Sequence, residues 1–277
     1  MRIRKHIAFR GDENFGLISY LNNNHIAYDK GDIISALDMY EDDPHWQHIL
    51  KYVQNKKLLC LSETFFSKNE LSCAQWLTVR SQWRNGYPQP ESAFQYEHIT
   101  YSDKTYCKDC GAGLIQVNPF RIKKTPKWGN RHFMMLNWVE DELFADELVK
   151  TIFQSNHVSG ILFREVHDKK GEIFFPQIQQ MVITEILPPG ISVNGQSTDK
   201  IFICTTCGTP KYHPTGIGMH SFRKESFKNA PDIVRTHEVF GWGHSASRLI
   251  IVNQKVYQLI TQNKLDRGLV FEPVLMV

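Results

Sequence analysis

Four cysteines carry the clearest chemical signal in this chain. They stand in two copies of one short word, Cys107-Lys108-Asp109-Cys110-Gly111 and Cys204-Thr205-Thr206-Cys207-Gly208. Each word reads CxxCG. Two cysteines spaced this way in a tight turn present both sulfurs to one ion, and two such turns supply the four thiolates of a closed tetrahedral zinc site. The glycine after each second cysteine suits a turn with positive φ. If both words bind one ion, the metal ties together distant parts of one fold and does not build a local finger. Four sulfurs leave no open position, so the expected role of the zinc is structural. A redox dithiol is the rival reading. It normally occupies a helix N-terminus in a thioredoxin-like context. Here a strand-like run precedes the second word and glycine follows at once in both. His213, six positions after Cys207, is an alternative fourth ligand.

Other residues carry weaker signals. His132, His213, His220, His237 and His244 lie in the second half, but no carboxylate or nucleophile stands at a spacing that completes a catalytic set. Gly243-His244-Ser245-Ala246-Ser247 lacks the GxSxG of a nucleophile elbow. The expectation is therefore a protein that is not an enzyme. Arg121, Lys123, Lys124, Lys127 and Arg131 form a basic stretch with Trp128 and Phe133 interleaved. Cations alternating with aromatic rings can grip single-stranded nucleic acid. Acidic residues follow closely, so a solvated or paired face is the plainer reading. Lys123, Lys124 and Trp128 remain candidates for a partner surface. Trp76, Trp83, Trp138 and Trp242 suit core packing, or hot spots where they lie exposed beside arginine.

Composition narrows the function class. The chain has 277 residues, 42% hydrophobic and 22% charged, with a net charge of +3. That is an ordinary globular composition, and the small charge argues against a dedicated nucleic-acid binder. No apolar run reaches membrane-spanning length, and the basic N-terminal stretch lacks the apolar core of a signal peptide. A cytoplasmic protein is expected. Four of the six cysteines are paired in CxxC words, and Cys60 and Cys73 read as buried thiols. That pattern suits a reducing compartment.

The elements that must position these residues read as an α+β fold: a mixed or antiparallel sheet with flanking helices, and two CxxCG zinc knuckles joined into one four-cysteine site. Helices are expected over residues 32–40, after Asp43-Pro44 with an apolar face of Trp46, Ile49, Leu50 and Val53, and after the capping box Ser67-Lys68-Asn69-Glu70, carrying Leu71, Ala74 and Leu77. A further helix is expected over 141–154, with Phe144, Leu148 and Ile152 on one face. Strands are expected over 58–61, 161–166, 173–175, 180–187 and 201–203. At the C-terminal end, a strand over 249–252, a helix capped by Asn253 and a strand over 269–271 suggest a βαβ-like unit. The proline-bearing segment Tyr87-Pro88-Gln89-Pro90 divides the chain into a mainly helical region, 1–90, and a zinc-stapled α+β region, 91–277, unless the two are continuous.

The doubled CxxCG word, with Gly86-Tyr87-Pro88-Gln89-Pro90-Glu91 before it, resembles the bacterial double-CxxCG motif proteins. The similar stretches are 75–91, 107–141, 204–214 and 232–273. The tail, from Ser247-Arg248-Leu249-Ile250-Ile251-Val252 through Gly268-Leu269-Val270-Phe271-Glu272-Pro273-Val274, is also similar to the C-terminal region of a family of immunity proteins encoded beside polymorphic toxins. The resemblance implies a non-enzymatic protein that binds and silences a cognate toxin, with Cys107, Cys110, Cys204 and Cys207 as metal ligands. The alternative is a nucleic-acid-binding zinc protein using residues 121–133. The first 65 residues match nothing in either pattern.

Overall fold

A computed structural model describes residues 1–102, 104–192, 201–213 and 217–277. Pro214, the last residue of one of the resembling stretches, lies outside the described residues. The chain divides into two compact units, Met1–Glu70 and Leu71–Val277.

The first unit alternates strand and helix: β1 (Arg2–Arg10), α1 (Phe15–Asn23), β2 (Ile34–Tyr40), α2 (Trp46–Lys56) and β3 (Leu59–Phe65). Its sheet has the order β2-β1-β3, antiparallel throughout. Ile7, Phe9, Leu37 and Met39 point to one face and meet Leu17 and Leu21 of α1 and Trp46, Ile49 and Val53 of α2. Residues 1–70 are therefore not mainly helical. The expected helix over 32–40 is strand β2, in which Ser35, Leu37 and Met39 are buried on alternate positions. The face expected on α2 is the one buried, although the helix starts at Trp46, and Asp43 Oδ1 accepts the His45 N–H at 2.8 Å. The capping box forms as expected. Glu70 accepts from the Ser67 N–H at 2.8 Å, and the Glu70 N–H donates to Ser67 Oγ at 3.2 Å. It opens only the short α3 (Lys68–Cys73). Leu77 belongs to the next strand, and the division between units falls after residue 70, not 90.

The second unit begins with β4 (Trp76–Ser81) and α4 (Tyr96–Thr100). Short strands β5 (Arg121–Ile122), β6 (Phe133–Met134) and β7 (Leu143–Ala145) lead to α5 (Glu147–Ser155) and the long hairpin β8 (Ile161–Asp168) and β9 (Phe174–Ile183). The chain continues through β10 (Ile201–Ile203), β11 (Pro210–Tyr212), β12 (Ser221–Phe222), β13 (Ile233–Arg235) and β14 (Val239–Phe240). It ends with β15 (Ile250–Asn253), α6 (Gln254–Gln262), β16 (Leu269–Pro273) and β17 (Leu275–Met276). The strands form a five-stranded sheet, β5-β8-β9-β7-β6, a four-stranded sheet, β13-β15-β4-β16, and two smaller sheets, β10-β11-β14 and β12-β17. Most pairs are antiparallel. β5 with β8, β11 with β14 and β12 with β17 are parallel. The fold is α+β, as expected.

The main core lies where Phe133, Leu143, Ala145 and Met181 of the five-stranded sheet meet Leu77, Val79, Ile250, Val252 and Phe271 of the four-stranded one. The helices α5, through Val149 and Phe153, and α6, through Val256, Tyr257 and Ile260, close it. Neighbouring positions Met134 and Phe144 point the other way, into a second core with Tyr96, Tyr101, Phe120 and Ile178. Around β6 and β7 the five-stranded sheet is thus buried on both faces, while Leu162 of β8 and Phe174 of β9 lie exposed.

Local signals hold best where they cap a helix. Asn253 accepts from the Val256 N–H at 3.1 Å and starts α6. The strands on either side of α6 run parallel, with β4 antiparallel between them. The βαβ-like unit is therefore present, with a strand from far upstream in its middle. The helix expected over 141–154 is shorter. Phe144 sits in β7, Asp146 caps α5, and the buried face is Val149 and Phe153, while Leu148 is half exposed. Cys60 is partly buried, but Cys73 is exposed. No described helix is long and apolar enough to cross a membrane.

Candidate metal centre

The two CxxCG words fold into the same loop. In the first, the Cys107 N–H donates to the Ala112 carbonyl and the Gly111 N–H to the Cys107 carbonyl, both at 2.8 Å. In the second, the Cys204 N–H donates to the Thr209 carbonyl at 3.0 Å and the Gly208 N–H to the Cys204 carbonyl at 2.8 Å. Gly111 and Gly208 take φ of +75° and +71°, a region that glycine enters without penalty. The second loop is the tip of the β10–β11 hairpin, with Ile203 opposite Pro210.

The loops meet sulfur to sulfur. Cys107 Sγ lies 3.9 Å from Cys204 Sγ, and Cys110 Sγ lies 3.6 Å from Cys207 Sγ. All four sulfurs lie within 4.8 Å of one another. Tetrahedral coordination at a metal–sulfur distance of about 2.3 Å places sulfurs about 3.8 Å apart, so the cluster has the size of a four-thiolate metal site. Among the described residues no histidine belongs to it. His213 instead sets its ring edge-on against Trp242 at 4.9 Å. A second bond joins the two loops directly, from the Thr206 hydroxyl to the Asp109 carboxylate.

The sulfurs differ in surroundings. Burial pushes the Cys110 thiol up to about 12, while hydrogen bonding to Thr209, 3.2 Å from its sulfur, holds Cys207 down at about 6. A cation among the four favours the thiolate form of each.

Lys211 is a residue of the candidate site that sequence reasoning missed. It lies on β11 and is 1% exposed. Its three ammonium protons match three carbonyl acceptors: Cys110 at 3.0 Å, Gly243 at 2.7 Å and Ser245 at 2.7 Å. Burial lowers its pKa, and the charges of the four cysteines oppose that shift. One cation therefore fastens the first loop, the second hairpin and the 243–245 turn, and it would offset the negative charge that four thiolates leave on a bound divalent ion. A lysine between Pro210 and Tyr212 has no sequence mark that separates it from a surface lysine.

The 243–245 turn also presses on the first loop. A Cβ placed on Gly111 would stand 1.9 Å from the His244 carbonyl oxygen. Gly208 has open space around the same point. The two glycines share a conformation, and only the first is also required by packing.

The remaining candidates are scattered. Lys123 and Lys124 are exposed, whereas Trp128 is half-buried. The Trp128 indole donates to the Gln177 carbonyl at 3.0 Å and sets its ring edge-on to Trp83 at 5.4 Å. Arg131 lies over the same Trp83 ring at 5.2 Å. His132 Nδ1 is 2.8 Å from Asp146, the carboxylate that caps α5. His220 is buried against Phe240, and burial pulls it down to about 4. Neither the protein-family models nor the curated proteins give a match to this chain.

Proposed function

We propose that this protein is a zinc-stapled binding protein, and specifically an immunity protein that silences a cognate toxin by forming a stoichiometric complex with it. The observation that carries the reading is the meeting of both CxxCG words in one closed four-cysteine cluster, the arrangement that resemblance to double-CxxCG proteins implies. Zinc suits four thiolates at this spacing. A closed site serves architecture, so function passes to the surface around it. Exposed aromatic side chains are available there, including Phe94, Trp138 and Trp242.

The nucleic-acid reading of residues 121–133 has less support. Its tryptophan is already engaged by Trp83 and the Gln177 carbonyl, which leaves exposed lysines without a stacking partner.

Elemental analysis of the purified full chain should give about one zinc per chain, as a single four-thiolate site requires. Mixing with the product of a toxin gene beside its own should give a complex of fixed stoichiometry on size-exclusion chromatography with light scattering. Co-expression should restore growth. Zinc without complex or protection overturns the immunity role and keeps the staple. Absence of metal from protein with intact thiols overturns the staple.

A further inference from the structure

Beside the cysteine cluster lies a cavity of about 330 Å³. One wall is aromatic: Phe94, Tyr96, Tyr101 and Trp138 line it. Trp138 is its centre. Phe94 lies 4.5 Å from the indole, Tyr96 is stacked at 6.3 Å, and Tyr87 backs the same ring at 4.6 Å. Tyr96 and Tyr101 are buried, whereas Phe94 and Trp138 are 49% and 40% exposed and stand at the mouth. The opposite wall is Gly111 of the first cysteine loop with the 244–247 turn, the turn that Lys211 fastens.

Backbone strain gathers at this aromatic wall. Ala93, Phe94 and Trp138 all have positive φ, at 49°, 57° and 70°. A left-handed backbone is costly for residues with a Cβ, and such residues cluster where a fold must hold a particular side-chain geometry.

The charge lining the cavity has one sign. Glu97, Glu140 and Asp141 contribute to the wall, and among the described residues no lysine or arginine does. Glu140 is paired outward with Arg84 at 2.5 Å, and Asp141 with Arg235 at 3.8 Å and the Arg248 N–H at 3.4 Å. Among the described residues Glu97 accepts a long bond from the Tyr96 hydroxyl, at 3.4 Å, and pairs with no lysine or arginine. Aromatic faces are negative, and they attract ammonium and guanidinium groups within about 6 Å. A phosphate or carboxylate would meet three carboxylates there, and the arginines that pair with two of them, Arg84 and Arg235, do not line the cavity. We propose that this cavity is a receptor for an organic cation, an ammonium or guanidinium group gripped by Trp138, Phe94 and Tyr96 and paired with Glu97. The proposal stands on the cavity itself and holds whether or not the partner is a toxin.

The test uses the full chain labelled with ¹⁵N-tryptophan, with the Trp138 indole signal assigned through Trp138→Phe. Three probes are titrated at constant ionic strength: Nα-acetyl-arginine amide, tetramethylammonium, and Nα-acetyl-citrulline amide as a neutral match to arginine. At least one cation should shift the Trp138 signal saturably, with the citrulline compound about ten-fold weaker or more. Glu97→Gln and Phe94→Ala should each weaken the cation without moving the other tryptophan signals. Preference for the arginine amide would identify a basic side chain of a partner as the source. Preference for tetramethylammonium would identify a free quaternary amine. No saturable shift with either cation, or equal binding of the citrulline compound, overturns the proposal.

Discussion

The Lys211 ammonium donates to the carbonyl of Cys110, on the opposite cysteine loop, at 3.0 Å. The bond crosses the interface between two loops that sequence presents as independent words. Together with the Thr206–Asp109 bond, it makes the cluster more than four sulfurs.

Lys211→Met is expected to keep the side-chain volume and strand all three carbonyls. Each buried acceptor left unpaired costs about 1–3 kcal/mol. The variant should melt well below wild type and lose its metal faster to a chelator, read by differential scanning calorimetry and a zinc-indicator assay. An unchanged melting temperature and release rate would mean that the three contacts do not brace the site.

Gly111→Ala and Gly208→Ala should separate conformation from packing. Both place a Cβ in the left-handed region, at about 1–2 kcal/mol. Gly111→Ala also drives that Cβ into the His244 carbonyl. It should therefore be clearly the less stable of the two in urea, and Gly208→Asn should be nearly neutral. Equal losses would show that the 243–245 turn yields freely.

A buried ion pair gives a third expectation. Arg235 Nη2 lies 2.7 Å from Glu142, whose other oxygen accepts from Gln180 at 2.9 Å. Burial raises the Glu142 carboxyl, and the Arg235 charge opposes that rise. Removing one partner alone, by Glu142→Gln or Arg235→Met, should cost about 3–5 kcal/mol. The double variant should lose less than the sum. A double-mutant cycle by urea unfolding measures the coupling, and additive losses would deny it.

His220 sets a pH dependence. Its Nδ1 has no hydrogen-bond partner among the described residues, and burial holds the ring at about 4 instead of 6.5. The folded pKa is depressed, so below 6.5 the unfolded chain binds the proton more readily. The contribution is intact above pH 6.5 and lost as pH falls toward 4, to a total of roughly 3 kcal/mol. His220→Phe should flatten the stability profile over that window relative to wild type. Parallel profiles would show that His220 takes its proton without unfolding.

The cluster was legible because its information is local. CxxCG specifies a turn, and a repeated word gives a repeated loop. The cap at Asn253 was legible for the same reason. The failures share a different cause. Residues 34–40 carry Ala36, Leu37 and Met39, good helix formers, yet strand pairing with β1 decides their state. Phe144 continues a helical spacing with Leu148 and Ile152, but its neighbours Leu143 and Ala145 are claimed by β7, a strand buried on both faces. Lys211 was invisible because its meaning lies in carbonyls supplied by two other loops.

The placement of β4 bears on how the chain is made. Its two hydrogen-bonded neighbours, β15 and β16, are the strands of the C-terminal βαβ-like unit. As the polypeptide leaves the ribosome, residues 76–81 emerge with both edges open and wait for residues 250–253 and 269–273. An interrupted translation product that stops before position 250 carries an unpaired central strand, whose inner face is Leu77 and Val79. Such a strand templates association with other chains. Truncated forms should therefore be lost to aggregation or proteolysis, and the sheet closes only once residues 269–273 have been made.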